Sequence, residues 1–191
     1  MIEAGGEISA AQAAAVYARA RLLLSAEEVD LAIKKMAEAI TCQLGQANPI
    51  VVCIMNGGLI TTGKLVTQLN FPLQMDYLHA TRYRNTTSGH GLNWIKYPTL
   101  SLKGRTVLVV DDILDEGATL AAVMKYCKDQ QAEKIYSAVL TDKLHKRKVS
   151  TIKADFVGVE IEDAYVFGYG LDYKGYLRNA PGIYAIDASD Y

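Results

Sequence analysis

Residues 106–120, TVLVVDDILDEGATL, carry the clearest fold signal in the chain. Its first five residues are β-branched or aliphatic without polar alternation, which is typical of a strand covered on both faces in a parallel sheet. Two acids, Asp111 and Asp112, follow this run, and Asp115 then precedes a small-residue turn that opens a helix at Thr119. We therefore predict a strand, a loop and a helix in succession, with the acids at the strand end.

Apolar runs on either side of this stretch indicate the same order. A run from Ile50 to Met55 ends at two glycines, and a helical pattern follows it. An earlier helix begins at Ser25, where S-A-E-E forms a capping box, and ends at Gly45. We predict strands at 50–55, 75–81, 106–110, 135–140, 156–159 and 183–186, and helices at 9–24, 25–44, 59–69 and 119–130. Alternating strands and helices build a parallel sheet, so we expect an α/β fold with an open, mostly parallel twisted sheet and helices on both faces.

Composition limits the function classes. The chain has 191 residues, with 50% apolar and 21% charged side chains, which excludes a disordered protein and favours one domain. Its net charge is −1, so we expect no nucleic-acid partner. No apolar run reaches the roughly 18 residues of a membrane span, and the first residues lack the positive charge of a secretory signal. Three widely spaced cysteines, Cys42, Cys53 and Cys127, indicate a reducing compartment, and we expect a cytoplasmic protein.

The turn after the acids has the chemistry of a sugar-phosphate site. Backbone N–H groups at a helix N-terminus bind anions, and the Thr119 hydroxyl adds a donor. Asp111 and Asp112 would repel a phosphate, so we expect them to bind hydroxyl groups, directly or through a divalent ion. The N–H groups concerned belong to Glu116, Gly117, Ala118 and Thr119. The same pattern is also compatible with a solvated acidic strand end followed by an ordinary turn.

Four segments resemble type I phosphoribosyltransferases, which bind 5-phosphoribosyl 1-pyrophosphate (PRPP). V-L-V-V-D-D-I-L-D-E-G-A-T-L resembles the family signature, except that Glu116 stands where Thr is usual. The other three resemble the hypoxanthine-guanine branch of the family and cover the chain from about Pro49 to Arg178. They are I-M-N-G-G at 54–58, D-F-V-G-V-E-I at 155–161, and V-F-G-Y-G-L-D-Y at 166–173 with Arg178 following.

The resemblance implies a role for each matched residue around the ribose and phosphates. Asp111 and Asp112 would hold the ribose hydroxyls, and Asp115 would be the catalytic group that faces N7 of the purine. The loop from Asp115 to Thr119 would bind the 5′-phosphate. The pyrophosphate would lie against a loop with a non-proline cis peptide, formed by Asn56, Gly57 and Gly58.

The resemblance also implies the purine and metal contacts. Lys143 would donate to the purine 6-oxygen, Tyr165 would stack on the base and the Val166 backbone would read its edge. Asp172 would ligate magnesium, Mg²⁺, near the pyrophosphate, with Asp111 and Asp112 as further candidate ligands. Arg178 would be the cationic partner of the pyrophosphate.

The implied activity is purine salvage: PRPP and hypoxanthine or guanine give IMP or GMP and pyrophosphate. The implied architecture is a single domain over 1–191, with a core at roughly 45–150 and a small hood formed by the N-terminal part and roughly 151–191. Residues 84–97, with Arg82 and Tyr83 at their root, would form a mobile lid. Relatives are usually homodimers or homotetramers. None of the three histidines is assigned a role.

Two other function classes stay open. A non-catalytic regulator could keep the same site to sense PRPP or nucleotide, and a basic face would mark it. A phosphoacceptor signalling domain also gathers acids at strand ends, but it needs neither the G-A-T turn nor a strand-rich C-terminal third. The intact Asp115 and the net charge of −1 favour the enzyme.

Overall fold

The computed structural model describes residues 8–82, 92–148 and 152–190. Its helices and strands alternate along most of the chain, and a short 3₁₀ turn, Ala188–Asp190, ends it. The helices are α1 (Ala10–Arg19), α2 (Ala26–Leu44), α3 (Gly58–Val66) and α4 (Ala118–Asp129). The strands are β1 (Arg21–Ser25), β2 (Ile50–Met55), β3 (Gln74–Arg82), β4 (Leu92–Lys96), β5 (Thr106–Leu114), β6 (Lys134–Lys143), β7 (Phe156–Ile161), β8 (Val166–Phe167) and β9 (Gly182–Ala185).

Six strands form the main sheet in the order β4-β3-β2-β5-β6-β7. All its pairs are parallel except β3 with β4. Successive β5 residues point to opposite faces, so Leu108 and Val110 pack with α2 and α3 while Val107 and Val109 pack with α4. Both faces of β5 are thus buried, which is why its sequence is apolar without alternation. The predicted open, mostly parallel sheet with helices on both faces is confirmed.

A second, smaller sheet is built from the two chain ends. Its strand order is β1-β9-β8, and both pairs are antiparallel. Phe167 is fully buried and stacks on Tyr184, while Tyr17 of α1 packs edge-on against both rings. Residues 156–161 fall inside the range that we assigned to the hood, but they form β7, the edge strand of the main sheet.

Two predicted boundaries were wrong by four residues or more. The helix expected at 9–24 ends at Arg19, because Leu22 and Leu24 pair with β9 and so leave the helix for a strand. The strand expected at 106–110 continues to Leu114, because β6 pairs with it along the added residues. The capping box of Ser25 and Glu28 is confirmed by both of its hydrogen bonds.

The predicted lid lies partly outside the described residues, which resume with β4 at Leu92. In the described parts of the chain, no helix is both long and apolar enough to cross a membrane.

Candidate active site

A cleft of about 420 Å³ opens at the carboxyl ends of β2 and β5. Ligands of open α/β sheets bind at this edge, beyond the carboxyl ends of the strands. Most of the predicted residues meet here although they come from distant parts of the chain. The cleft is lined by Asn56, Gly57, Asp111, Asp112, Asp115, Gly117, Thr119, Asp172 and Arg178, together with His79 and Thr81 of β3 and several apolar residues.

Asp111 and Asp112 lie inside β5, not after its end as predicted. Both residues are buried, at 7% and 8% exposure. The backbone N–H of Asp112 donates to the Asp111 carboxylate at 2.9 Å, and the Thr141 hydroxyl donates to the Asp112 carbonyl at 2.9 Å. Burial raises the pKa of both carboxyl groups, and the neighbouring Asp112 charge raises that of Asp111 further. The pair is therefore a strong acceptor for hydroxyl groups or a cation.

Two glycines allow the loops around Asp112 to approach closely. A Cβ atom at Gly57 would lie 2.1 Å from an Asp112 carboxylate oxygen, and a Cβ atom at Gly170 would lie 2.2 Å from the Gly57 carbonyl oxygen. Gly170 also has a φ of +107°, which L side chains rarely adopt. The peptide between Met55 and Asn56 is cis, as the sequence resemblance implied. Asn56 and Gly57 thus line one wall of the cleft, while Gly58 begins α3 and is not a lining residue.

The loop after β5 ends in the N-terminus of α4. Gly117 caps the helix in the left-handed conformation, with a φ of +84°. The helix begins at Ala118, one residue before the predicted start, and runs for 12 residues. The first N–H groups of a helix have no intrahelical partner and carry partial positive charge. Gly117 and Thr119 both line the cleft, so this end of α4 is placed to bind an anion there.

Asp115 is held by two basic side chains. Lys143, the last residue of β6, places its Nζ 3.2 Å from Oδ2 of Asp115. His145 places its Nε2 2.6 Å from Oδ1. Burial opposes ionisation of Asp115, but the Lys143 charge and the hydrogen bonds from both side chains outweigh it and lower its pKa. Asp115 is therefore an ionised carboxylate, ready to accept a proton.

Asp172 and Arg178 form the opposite wall. An Arg178 Nη atom lies 2.6 Å from Oδ1 of Asp172, and another lies 3.8 Å from Oδ2 of Asp112. Arg178 also donates to the Gly170 carbonyl oxygen. The guanidinium is thus fixed between two carboxylates at the mouth of the cleft, where a polyanion could reach it.

Tyr165 and Val166 are predicted purine contacts that do not line this cleft. Tyr165 packs edge-on against Tyr173, with ring centroids 5.6 Å apart, and Val166 is buried in β8 opposite Ala185. Val166 belongs to the small sheet, and Tyr165 directly precedes it. Lys143 is not a lining residue either and reaches the site through Asp115.

The carboxylates suit magnesium that arrives with a phosphate substrate. Across residues 8–82, 92–148 and 152–190, no group of three or more acidic, histidine or cysteine side chains forms a metal cage. Mg²⁺ usually binds through one or two carboxylates plus substrate phosphates, and does not need such a cage. Asp111 and Asp112 offer oxygen ligands whose buried charge a cation would offset.

Sequence analysis assigned no role to His145 and so missed its contact with Asp115. Strand β6 pairs with β5 up to Asp142 opposite Leu114, so His145 just beyond β6 lies beside Asp115 just beyond β5, with its side chain 3% exposed. The only signal in the sequence was its position two residues after Lys143. That spacing alone does not show that β6 ends beside β5.

Comparisons with known proteins agree on one family. A family model described as a phosphoribosyl transferase domain matches residues 22–174. The chain is 34% identical over 172 residues to the hypoxanthine-guanine phosphoribosyltransferase of Bacillus subtilis (strain 168), covering 90% of this chain and 95% of the relative. A crystal structure of a hypoxanthine phosphoribosyltransferase from Staphylococcus aureus matches with a TM-score of 0.85 at 26% identity, covering 97% and 99% of the two chains. The Trypanosoma cruzi hypoxanthine phosphoribosyltransferase, in complex with the product IMP, matches with a TM-score of 0.82 at 27% identity, covering 89% and 95%.

Proposed function

This chain belongs to the phosphoribosyltransferase family, and we propose that it transfers the 5-phosphoribosyl group from PRPP to hypoxanthine or guanine. The products would be IMP or GMP and pyrophosphate, so the reaction salvages preformed purines. One observation carries the proposal: a desolvated pair of carboxylates, Asp111 and Asp112, shares one cleft with the N-terminus of α4 and with Arg178, which lies 3.8 Å from Asp112. A pentose that carries phosphates at both ends matches that set of groups.

We assign the phosphates to the two ends of the cleft. The 5′-phosphate would accept hydrogen bonds from the N-terminus of α4 and from the Thr119 hydroxyl. The pyrophosphate would lie against the backbone of Asn56, Gly57 and Gly58, close to Arg178. The ribose hydroxyls would donate to Asp111 and Asp112.

Asp115 would act as the general base. In the forward direction N9 of the purine forms a bond to C1′, the bond from C1′ to the pyrophosphate oxygen breaks, and Asp115 accepts the proton from N7. Positive charge develops on the ribose while the leaving group gains negative charge, which Arg178 would stabilise. The lowered pKa of Asp115 keeps the carboxylate ionised while Lys143 is beside it, and movement of Lys143 to the purine would make Asp115 a stronger base.

The protein would select its purine substrate by the substituent at the purine 6-position. The Lys143 ammonium can donate to a 6-oxygen but has no acceptor for a 6-amino group. Tyr165 and the Val166 backbone, at the entry to the small sheet, would contact the purine ring. We therefore expect hypoxanthine and guanine to be substrates and adenine to be rejected.

Magnesium is the proposed cofactor. Asp172 would hold it near the pyrophosphate, with Asp111 and Asp112 as further oxygen ligands. Bound there, the ion would offset charge on the pyrophosphate as it leaves.

A transfer assay with radiolabelled hypoxanthine, PRPP and Mg²⁺ tests the proposal. We expect labelled IMP from hypoxanthine, GMP from guanine and no AMP from adenine. A protein that binds PRPP but forms no nucleotide would instead support the non-catalytic regulator.

We also propose that the chain forms a homodimer or homotetramer in the cytoplasm. Large apolar side chains of α3 and β3 are about half exposed and line a shared surface cavity of about 240 Å³, namely Leu59, Met75 and Tyr77. Such a patch on a soluble domain favours burial against a second copy. Light scattering coupled to size exclusion would measure the assembly, and a monomer at micromolar concentration would contradict it.

A further inference from the structure

A buried histidine contacts the carboxylate that we assign as the general base. Nε2 of His145 lies 2.6 Å from Oδ1 of Asp115. Its other ring nitrogen, Nδ1, accepts a hydrogen bond from the backbone N–H of Arg147 at 2.9 Å. A ring nitrogen that accepts a hydrogen bond carries no proton, so the imidazole is the neutral tautomer with its proton on Nε2. His145 is therefore a donor to Asp115.

The two oxygens of Asp115 are held differently. Oδ1 accepts a hydrogen bond from the His145 ring. Both nitrogens of that ring are hydrogen-bonded, and the His145 side chain is 3% exposed. Oδ2 lies 3.2 Å from Nζ of Lys143, at the end of a flexible chain that can turn towards a bound purine. When Lys143 turns, Oδ2 becomes the free oxygen while Oδ1 keeps its donor.

We propose that His145 is a positioning residue for phosphoribosyl transfer, which fixes Asp115 through Oδ1 so that Oδ2 faces N7 of the purine. The inference rests on the proposed function and adds a residue to it. Groups that orient a reacting side chain through one hydrogen bond are common in enzyme sites, and a displacement of about 1 Å can cost roughly 100-fold in rate.

Other charged groups surround this pair. Lys143 faces Asp115 from β6, and Glu116 directly follows Asp115 in the chain. Arg147 lies in the segment after β6, where its guanidinium is bound by both carboxylate oxygens of Asp163 at 2.6 and 2.7 Å. Lys143 and His145 both hydrogen-bond Asp115, so loss of the imidazole would remove the donor at Oδ1 and leave Lys143 at Oδ2.

Kinetics of two His145 variants and one neighbour test the proposal. His145→Leu removes the donor at similar size, so we expect kcat to fall by about 10-fold to 100-fold with the KM for PRPP unchanged. In a plot of kcat against pH, the acidic limb should move to higher pH, because the Asp115 carboxylate loses a hydrogen bond that favours its ionised form. His145→Gln, whose amide can donate to Asp115, should recover part of the rate. Leu144→Ala, at the preceding residue, which is 54% exposed, is the matched control. This variant should keep the wild-type kcat and the wild-type pH profile.

Three results would overturn the inference without touching the proposed function. The first is an active wild-type enzyme whose His145→Leu variant has the same kcat and pH profile. The second is a loss in His145→Leu that follows only its melting temperature and is not rescued by glutamine. The third comes from the wild-type protein and needs no variant. It is a ¹⁵N NMR spectrum that shows the His145 ring protonated on Nδ1 at neutral pH. A wild-type protein with no transferase activity would instead refute the proposed function.

Discussion

At the scale of single residues, Asp115 is the group on which proton transfer depends. Asp115→Asn removes the base but keeps the shape of the side chain. We expect kcat to fall by roughly 10²–10⁴-fold, the usual contribution of general base catalysis, while PRPP binding stays within about twofold. Steady-state kinetics and calorimetric titration with PRPP measure the two quantities. An unchanged kcat would remove Asp115 from the mechanism.

Single residues also show what the sequence could not reveal. Asp111, Asp112 and Asp115 lie in one continuous segment, so their shared chemistry could be predicted from adjacent positions. His145 reaches Asp115 because β6 ends beside β5, with Asp142 opposite Leu114, and the sequence alone does not show that pairing. Tyr165 was assigned by resemblance alone, and its ring packs on Tyr173 at the edge of the small sheet.

At the scale of elements, the N-terminus of α4 is the proposed phosphate site. Thr119→Val removes the hydroxyl and keeps the side-chain volume. A hydrogen bond to a charged group contributes about 1.5–3 kcal/mol, so we expect the KM for PRPP to rise about 10-fold or more, with a smaller change in kcat. Thr67→Val is the control, because that hydroxyl bonds the Lys64 carbonyl at the far end of α3. Equal KM values in the two variants would place the phosphate elsewhere.

Elements differ in how far local sequence determines them. Strands β2 and β5 were predictable, because a short, continuous β-branched run is typical of a strand that is buried on both faces of a parallel sheet. Strand β1 was not predictable, since Leu22 and Leu24 extend a helical pattern from α1. They become a strand only by pairing with β9, near the other end of the chain. Tertiary pairing therefore overrode local helix propensity.

At the scale of the whole molecule, the buried acids that serve function should cost stability. Burial raises the pKa of Asp111 well above its ordinary value of 3.8, so the native state binds that proton more tightly than the unfolded state does. Stability must then fall as the pH rises through the window above 3.8. Asp111→Asn has no such titration and should raise the free energy of unfolding at pH 7 by about 1 kcal/mol while lowering activity.

Urea unfolding at two pH values, without Mg²⁺ or ligand, measures this effect. The difference between Asp111→Asn and wild type should be present at pH 7 and should shrink as the pH falls towards 3.8. Asp129→Asn, at an exposed residue of α4 paired with Lys125, is the control and should change stability little. A variant that is less stable than wild type at pH 7 would show that the native Asp111 charge is well compensated.

A crystal structure with GMP bound would show where the sugar phosphate binds. We predict the 5′-phosphate at the N-terminus of α4, within hydrogen-bond distance of the Thr119 hydroxyl. The ribose hydroxyls should contact Asp111 and Asp112, and N7 should face Asp115. GMP bound elsewhere, with this cleft empty in the same crystal, would contradict the account.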